Sequence, residues 1–166
     1  MIESFLLLIC FYAAVYDFIF YKIPNRIILV LIGAFIANGL FSIMSGSHVY
    51  IVMYPVLIAT IILFIGVLLF SFKVMGAGDA KLIAACSLFI PYEYMYQFIF
   101  LIFVSGGILA LTYILFKNPL AFVRQLLLAK IVDKSDDQII ALENKNIVPY
   151  AIAIFAGLLW TLLINR

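Results

Sequence analysis

The feature that most constrains this chain is a series of long apolar stretches with few charges between them. A helix that crosses a bilayer needs about 20 mostly apolar residues. Six stretches approach or reach that length, at residues 2–20, 27–44, 50–72, 80–92, 94–116 and 147–164. With 68% apolar and 11% charged residues, the chain lacks the polar surface that a soluble domain needs. The sequence therefore predicts an all-α polytopic membrane protein with six transmembrane helices embedded in a lipid bilayer.

The basic residues predict the orientation of these helices, because cytoplasmic loops collect Lys and Arg near the membrane. With six crossings and the N-terminus outside, nine of the ten basic residues fall on the cytoplasmic side, and Arg166 lies outside. If the short fourth stretch did not cross, the basic residues between 117 and 145 would lie outside and break this pattern. We therefore expect a short fourth transmembrane helix, whose missing length is supplied by bilayer thinning or by snorkelling of Lys81.

Residues 117–146 differ from the rest of the chain because they are rich in charges. The predicted topology makes them a cytoplasmic loop of about thirty residues within a single membrane-embedded domain, residues 1–166. The middle of the loop, residues 120–132, has apolar side chains at helical spacing, which is typical of an amphipathic helix at the membrane interface. A solvated connector is the alternative interpretation.

Several classes of site and partner are disfavoured. The net charge is only +2 and no basic run is interleaved with aromatic residues, so we expect no nucleic-acid partner. Cys10 and Cys86 lie in apolar runs without a second Cys or His at metal-ligand spacing, so we expect no disulfide framework, no metal site and no cofactor. The single histidine, His48, lies in a predicted outside loop, which leaves a Ser-His or Cys-His mechanism on the cytoplasmic side without its base.

Of the eight acidic residues, six are predicted to lie on the outside face or in the loop, and the other two are predicted to lie at membrane depth. Asp17 lies in the last turn of the first apolar stretch, where an ionised carboxylate is costly. Asp79 follows Gly76-Ala77-Gly78 at the start of the fourth stretch, on the same predicted side of the membrane. Taken singly, Asp79 is also interpretable as a helix N-cap, and Asp17 as an ion-pair partner of Lys22 or Lys81.

Together, the two carboxylates predict hydrolytic chemistry. Two carboxyl groups within a few ångströms share a proton near neutral pH, because both cannot be ionised cheaply. In an aspartic protease, the ionised member takes a proton from water while the protonated member hydrogen-bonds the scissile carbonyl. Gly76 and Gly78 lack a Cβ, so they would let an extended substrate strand approach Asp79.

Three segments of the sequence resemble motifs of the type IV prepilin peptidases, which are membrane-embedded aspartic proteases with a Gly-x-Gly-Asp signature. Gly76-Ala77-Gly78-Asp79-Ala80-Lys81-Leu82 is similar to the family's second-aspartate motif. Asp17, with Ile23-Pro24-Asn25 downstream, is similar to the first-aspartate motif. Val148-Pro149-Tyr150 and the residues through Gly157 resemble the family's Pro-Tyr segment near the C-terminus.

The resemblance implies that the chain cleaves the short basic leader from a prepilin at the cytoplasmic face of the inner (plasma) membrane. Carried over to this sequence, it makes Asp17 and Asp79 the catalytic pair. Five further residues would shape the site around them: Gly76, Gly78, Lys81, Pro24 and Asn25. Pro24 and Asn25 would start the second transmembrane helix, with Asn25 as its cap, and would position Asp17.

The length and the six-helix plan resemble the short family members associated with tight-adherence (Flp-type) pili. Because the paired Cys-x-x-Cys motifs of the longer bacterial members are missing from this sequence, we expect no N-methyltransferase activity. Two interpretations from other classes remain open. A small proton- or cation-coupled transporter would use the same two aspartates as a relay, and a scaffold subunit would use them only as caps and ion-pair partners.

Overall fold

The computed structural model describes residues 2–46, 48–116 and 148–165, and within these ranges it contains helices and no strand. Six α-helices are described: α1 (Ile2–Phe20), α2 (Asn25–Met44), α3 (Tyr50–Ser71), α4 (Ala77–Ser87), α5 (Met95–Phe116) and α6 (Ala151–Ile164). A 3₁₀ turn, Tyr92–Tyr94, precedes α5. The all-α prediction is confirmed for these ranges. The predicted loop at 117–146, with its interfacial helix, lies outside the described residues.

Helix length separates full membrane spans from shorter helices. Four segments are long and apolar enough to cross a bilayer, namely Glu3–Phe20, Asn25–Met44, Tyr50–Ser71 and Tyr92–Leu115. With 14 residues, α6 is a shorter apolar helix. With 11 residues, α4 is about 16 Å long, which is roughly half of the hydrocarbon core. The chain is thus an integral membrane protein, and helix length supports four of the six predicted crossings in the described ranges. The other two crossings remain predictions.

The short helix α4 occupies the centre of the bundle. It packs against α2, α3 and α6, and Ala80 together with every residue from Leu82 to Ser87 is buried. The buried hydroxyl of Ser87 donates a hydrogen bond to the carbonyl oxygen of Ala84 at 2.7 Å, so it is satisfied within the helix. A helix enclosed by protein does not have to match the thickness of the bilayer, which explains how α4 tolerates its short length.

Small residues let the helices approach each other closely. A Cβ atom added to Gly66 of α3 would lie 2.7 Å from the Cβ of Ala80 in α4. Likewise, a Cβ on Gly157 of α6 would lie 2.8 Å from the side chain of Ile102 in α5. Such contacts are typical of helix packing in membranes, where close backbone approach and van der Waals contact replace the hydrophobic driving force. They hold α4 and α6 in place, and both of these helices begin at the site described next.

Candidate active site

Four helix ends meet at one end of the bundle, which we call the aspartate end: the end of α1 and the beginnings of α2, α4 and α6. The Nζ of Lys81 in α4 donates a hydrogen bond to Oδ1 of Asn25 in α2 at 3.4 Å. The backbone N–H of Ala151, the first residue of α6, donates to Oδ2 of Asp17 in α1 at 3.2 Å. Because α1 ends where α4 begins, the two helices run antiparallel.

The register of α1 against α4 places the two aspartates at the same level. The Sγ atoms of Cys10 and Cys86 are buried and 3.3 Å apart, and both residues are free thiols. Asp17 follows Cys10 by seven residues, and Asp79 precedes Cys86 by seven residues. Seven residues are about two helical turns, or about 10 Å. Asp17 and Asp79 are therefore equally far, along their helices, from the contact between Cys10 and Cys86, and both lie towards the aspartate end. Because seven residues are about two full turns, each aspartate is on the same side of its helix as the cysteine and faces the other helix.

Asp17 is buried, with only 6% of its surface exposed. The Ala151 N–H that it accepts is one of the N–H groups that a helix leaves unpaired at its first turn, and the positive end of the α6 dipole favours a negative charge there. Among the described residues, neither Lys22 nor Lys81 forms an ion pair with Asp17. The beginning of α6, rather than a lysine, is therefore the partner of this carboxylate.

Asp79 lies in the first turn of α4 and is partly buried. The N-cap position belongs to Gly76, whose backbone is extended, so the N-cap interpretation of Asp79 is wrong. Instead, the Asp79 side chain reaches back and accepts the backbone N–H of Gly76, as an acidic residue at the third helical position does in a capping box. The carboxylate is thereby fixed by its own helix end.

The two glycines of the motif leave room for the side chains of Asp79 and Ile23. A Cβ on Gly76 would lie 2.7 Å from Oδ2 of Asp79, and a Cβ on Gly78 would lie 3.2 Å from the Cβ of Ile23. The positions that a Cβ would take on the two glycines are therefore occupied by the Asp79 carboxylate and by the turn between α1 and α2, and the approach of a substrate strand stays a prediction. Both contacts bring the segment carrying Asp79 close to the segment that follows Asp17.

The prediction that Asn25 caps α2 is wrong. The N-cap position is occupied by Pro24, and no side chain caps the helix. Asn25 is the first residue of α2, and its side chain instead accepts the hydrogen bond from Lys81. These two motif residues thus join the start of α2 to the second turn of α4, which the sequence alone did not indicate.

Tyr150 is a residue of the site for which the sequence analysis gave no role. Its ring lies against Gly106 of α5, where any side chain would collide with the Tyr150 ring and hydroxyl. Tyr150 occupies the N-cap position of α6, directly before Ala151, whose N–H binds Asp17. The signal was present in the Val148-Pro149-Tyr150 motif, but its meaning depends on the contact with α5.

The chemistry available at the aspartate end is that of two carboxyl groups. Among the described residues, no group of three or more His, Cys, Asp or Glu side chains is placed to hold a metal ion. Each aspartate accepts one backbone N–H, and a carboxylate has about four lone-pair sites in all. Both therefore retain positions with which to bind a water molecule or a carbonyl group.

A family model described as the type IV leader peptidase family matches residues 4–111, well over half of the chain. The match includes both aspartates and both glycines of the site, and it ends before Tyr150. No curated protein and no solved structure matches the chain. The chain belongs to the type IV leader peptidase family, and this membership implies aspartic-type protease activity of the prepilin leader peptidase kind.

Proposed function

We propose that this protein removes the short basic leader from a type IV, Flp-like prepilin at the cytoplasmic face of the inner membrane, with Asp17 and Asp79 as the catalytic pair. One observation carries the proposal: the two carboxylates lie at the same level on antiparallel helices whose register is set by the thiol contact between Cys10 and Cys86. Family membership supplies the reaction class.

In the proposed mechanism, one carboxylate takes a proton from a water molecule while the other, protonated, donates a hydrogen bond to the scissile carbonyl. The water oxygen attacks the carbonyl carbon while the carbonyl oxygen takes the proton of the second carboxyl group, and this gives a tetrahedral diol. As the C–N bond breaks, the carboxyl group that received the water proton passes it to the leaving amine, and a diol hydroxyl returns a proton to the second carboxylate. The backbone N–H groups of Ala151 and Gly76 orient the two carboxylates for these steps.

The proposed membrane arrangement is one domain with six crossings, in which α4 and α6 are the two short ones. The N-terminus is outside and the aspartate end faces the cytoplasm, since Lys22, Arg26, Lys73 and Lys81 all lie at or near this end. Lipid-facing surfaces on α2, α3 and α5 would provide apolar surroundings for the hydrophobic helix of the prepilin, so that its leader emerges beside the two aspartates.

The side-chain hydroxyls favour the peptidase over the alternative, a small proton- or cation-coupled transporter. A relay would need polar groups that face one another along a path. Among the described residues, the hydroxyls of Thr60, Ser87, Thr112 and Thr161 each donate to a carbonyl of their own helix. The Ser105 hydroxyl of α5 lies 2.9 Å from the carbonyl oxygen of Ala153 in α6. The donor hydrogens of these groups are thus directed at backbone carbonyls rather than at one another. Proton flux into proteoliposomes that is lost in Asp17→Asn and Asp79→Asn would favour the transporter instead.

The proposal is tested by co-expressing the chain with candidate prepilins and following leader removal as a gel shift. Wild type should process its substrate, and both Asp17→Asn and Asp79→Asn should leave it unprocessed. Glu93→Gln is the matched control, because Glu93 is an exposed acidic residue in the 3₁₀ turn before α5. Processing by either Asn variant would contradict the paired-carboxylate mechanism.

A further inference from the structure

The helix α6 begins against the middle of α5, and two contacts join them there. The ring of Tyr150, at the N-cap position of α6, lies against Gly106 of α5. One position earlier in α5, the hydroxyl of Ser105 lies 2.9 Å from the carbonyl oxygen of Ala153, in the first turn of α6. Ala151 lies between Tyr150 and Ala153 in the chain. The helix α5 therefore contacts residues on both sides of Ala151.

Gly106 leaves a space that the ring of Tyr150 occupies. Gly106 is buried, and a Cβ there would lie 2.6 Å from Cζ of Tyr150 and nearer still to its hydroxyl oxygen. Both of these atoms lie on the axis about which the ring turns, so turning the ring does not move them away. Glycine is a poorer helix former than alanine. The contact with Tyr150 gives a reason for glycine at this position in the interior of α5.

The backbone around Tyr150 is packed so that a shift of this residue reaches Ala151. The carbonyl oxygen of Tyr150 accepts the N–H of Ala153 at 3.0 Å, which makes Tyr150 part of the first turn of α6. Its two neighbours, Pro149 and Ala151, are fully buried, and the proline ring fixes φ. The bond from the Ala151 N–H to Asp17 is 3.2 Å long, at the upper end of the usual range, so a small displacement of Ala151 breaks it.

We propose that Gly106 is a positioning residue for Asp17. The absence of a side chain at Gly106 seats the ring of Tyr150, the seated ring fixes the first turn of α6, and the N–H of Ala151 then holds the Asp17 carboxylate. This inference rests on the proposed function in so far as it concerns catalysis. The helix α5, which carries neither of the two aspartates, thereby sets the orientation of one of them.

The first test observes the Ala151 N–H directly and needs no substrate. Tyr is followed by Ala at two places in the chain, Tyr12-Ala13 and Tyr150-Ala151. Labelling the Tyr carbonyl carbon with ¹³C and the Ala nitrogen with ¹⁵N therefore selects two amide signals in NMR spectra of the full-length protein in nanodiscs. Tyr12→Phe identifies the Ala13 signal by removing it, and the remaining signal is that of Ala151.

Substitutions at two adjacent glycines of α5 are then compared. Gly106→Leu should shift the Ala151 signal, and should shift the Ala13 signal much less, because the Ala13 N–H is bonded within α1. Gly107→Leu is the matched control and should shift neither, since Gly107 is exposed and has open space around it. Gly106→Ala keeps the test decisive if Gly106→Leu does not fold, because its Cβ alone overlaps the ring. An Ala151 signal that stays in place in both Gly106 variants would overturn the proposal, because the ring would then move aside without α6.

The second test is kinetic and uses prepilin cleavage by the same variants. Gly106→Leu should lower kcat by about 100-fold, the cost of a misplacement of about 1 Å, and should leave KM unchanged, because the change acts on the reacting carboxylate. In the Tyr150→Ala protein the ring is absent, so adding Gly106→Leu should cause little further loss. Losses that multiply fully, or an equal loss in Gly107→Leu, would overturn the proposal. If wild type cleaves no prepilin, the proposed function fails, and a shifted Ala151 signal in Gly106→Leu still supports the positioning of Asp17.

Discussion

The helices α3 and α4 pack against each other, yet they occupy opposite kinds of environment. In α3, the buried residues are Ala59 and Gly66, and large side chains such as Leu57 and Phe64 are exposed on its surface. In α4, nearly every residue after Asp79 is buried. By sequence, α4 is the more polar of the two helices, because it contains Asp79, Lys81 and Ser87. It is also built mainly from small residues, since Gly, Ala, Cys and Ser occupy seven of its eleven positions, and this lets α2, α3 and α6 pack closely against it.

The largest effect expected from this comparison is on stability. Leu82 in α4 is fully buried, whereas Leu57 in α3 is 59% exposed. Leu82→Ala should lower the free energy of unfolding by about 2–5 kcal/mol, because it leaves a cavity that the surrounding helices cannot fill completely. Leu57→Ala should change it by less than about 0.5 kcal/mol, as is usual at exposed positions. Unfolding in mixed detergent micelles measures both values. Similar losses for the two variants would show that α4 is not the enclosed helix.

The next effect is on activity, and it compares a glycine at the start of α4 with a glycine in α2 that has open space around it. Gly76→Ala should displace the Asp79 carboxylate, since the new Cβ would lie 2.7 Å from its Oδ2. Because a misplacement of about 1 Å can cost roughly 100-fold, kcat/KM for prepilin cleavage should fall by about that factor, with little loss of stability. Gly33→Ala in α2 is the control, because nothing lies within 4 Å of its added Cβ, and it should keep wild-type activity. A fully active Gly76→Ala protein would contradict the assigned geometry of Asp79.

The smallest effect concerns the polar link between α2 and α4. The hydrogen bond from Lys81 to Asn25 is long, at 3.4 Å, and exposed. Lys81→Met should therefore reduce kcat/KM only a few-fold, which corresponds to about 1 kcal/mol or less. The exposed Lys73, beyond the end of α3, provides the control substitution Lys73→Met. A loss as large as that of an aspartate variant would mean that Lys81 acts on the substrate itself.

Four of the described helices could be predicted closely from the sequence because each of these four is a long apolar stretch. For α1, α2, α3 and α5, the predicted ends differ from the observed ends by at most a few residues. The fourth helix was predicted at 80–92 and is found at Ala77–Ser87. It begins earlier because Gly76 takes the N-cap position, which puts Asp79 inside the first turn. It ends earlier because the backbone turns after Ser87 and Pro91 follows.

The contacts within the site could not be predicted, because they join residues that are far apart in the chain. The sequence singled out Asp17 and Asp79 as the acids at membrane depth. It could not show that Asp17 is held by Ala151, which is 134 positions away. Nor could it show that the room left by Gly76 and Gly78 is used by Asp79 and Ile23. A motif indicates which residues act together, whereas their partners depend on how the helices pack.

The central claim is that Asp17 and Asp79 act as one unit. A double-mutant cycle in prepilin cleavage tests it most directly, with kcat/KM measured for wild type, Asp17→Asn, Asp79→Asn and the double variant. Residues that act as a unit are strongly non-additive. The double variant should therefore be no slower than either single variant, and all three should have lost nearly the whole rate. Losses in the single variants that are partial and that multiply in the double variant would contradict the claim, because they would mean that the two carboxylates act independently.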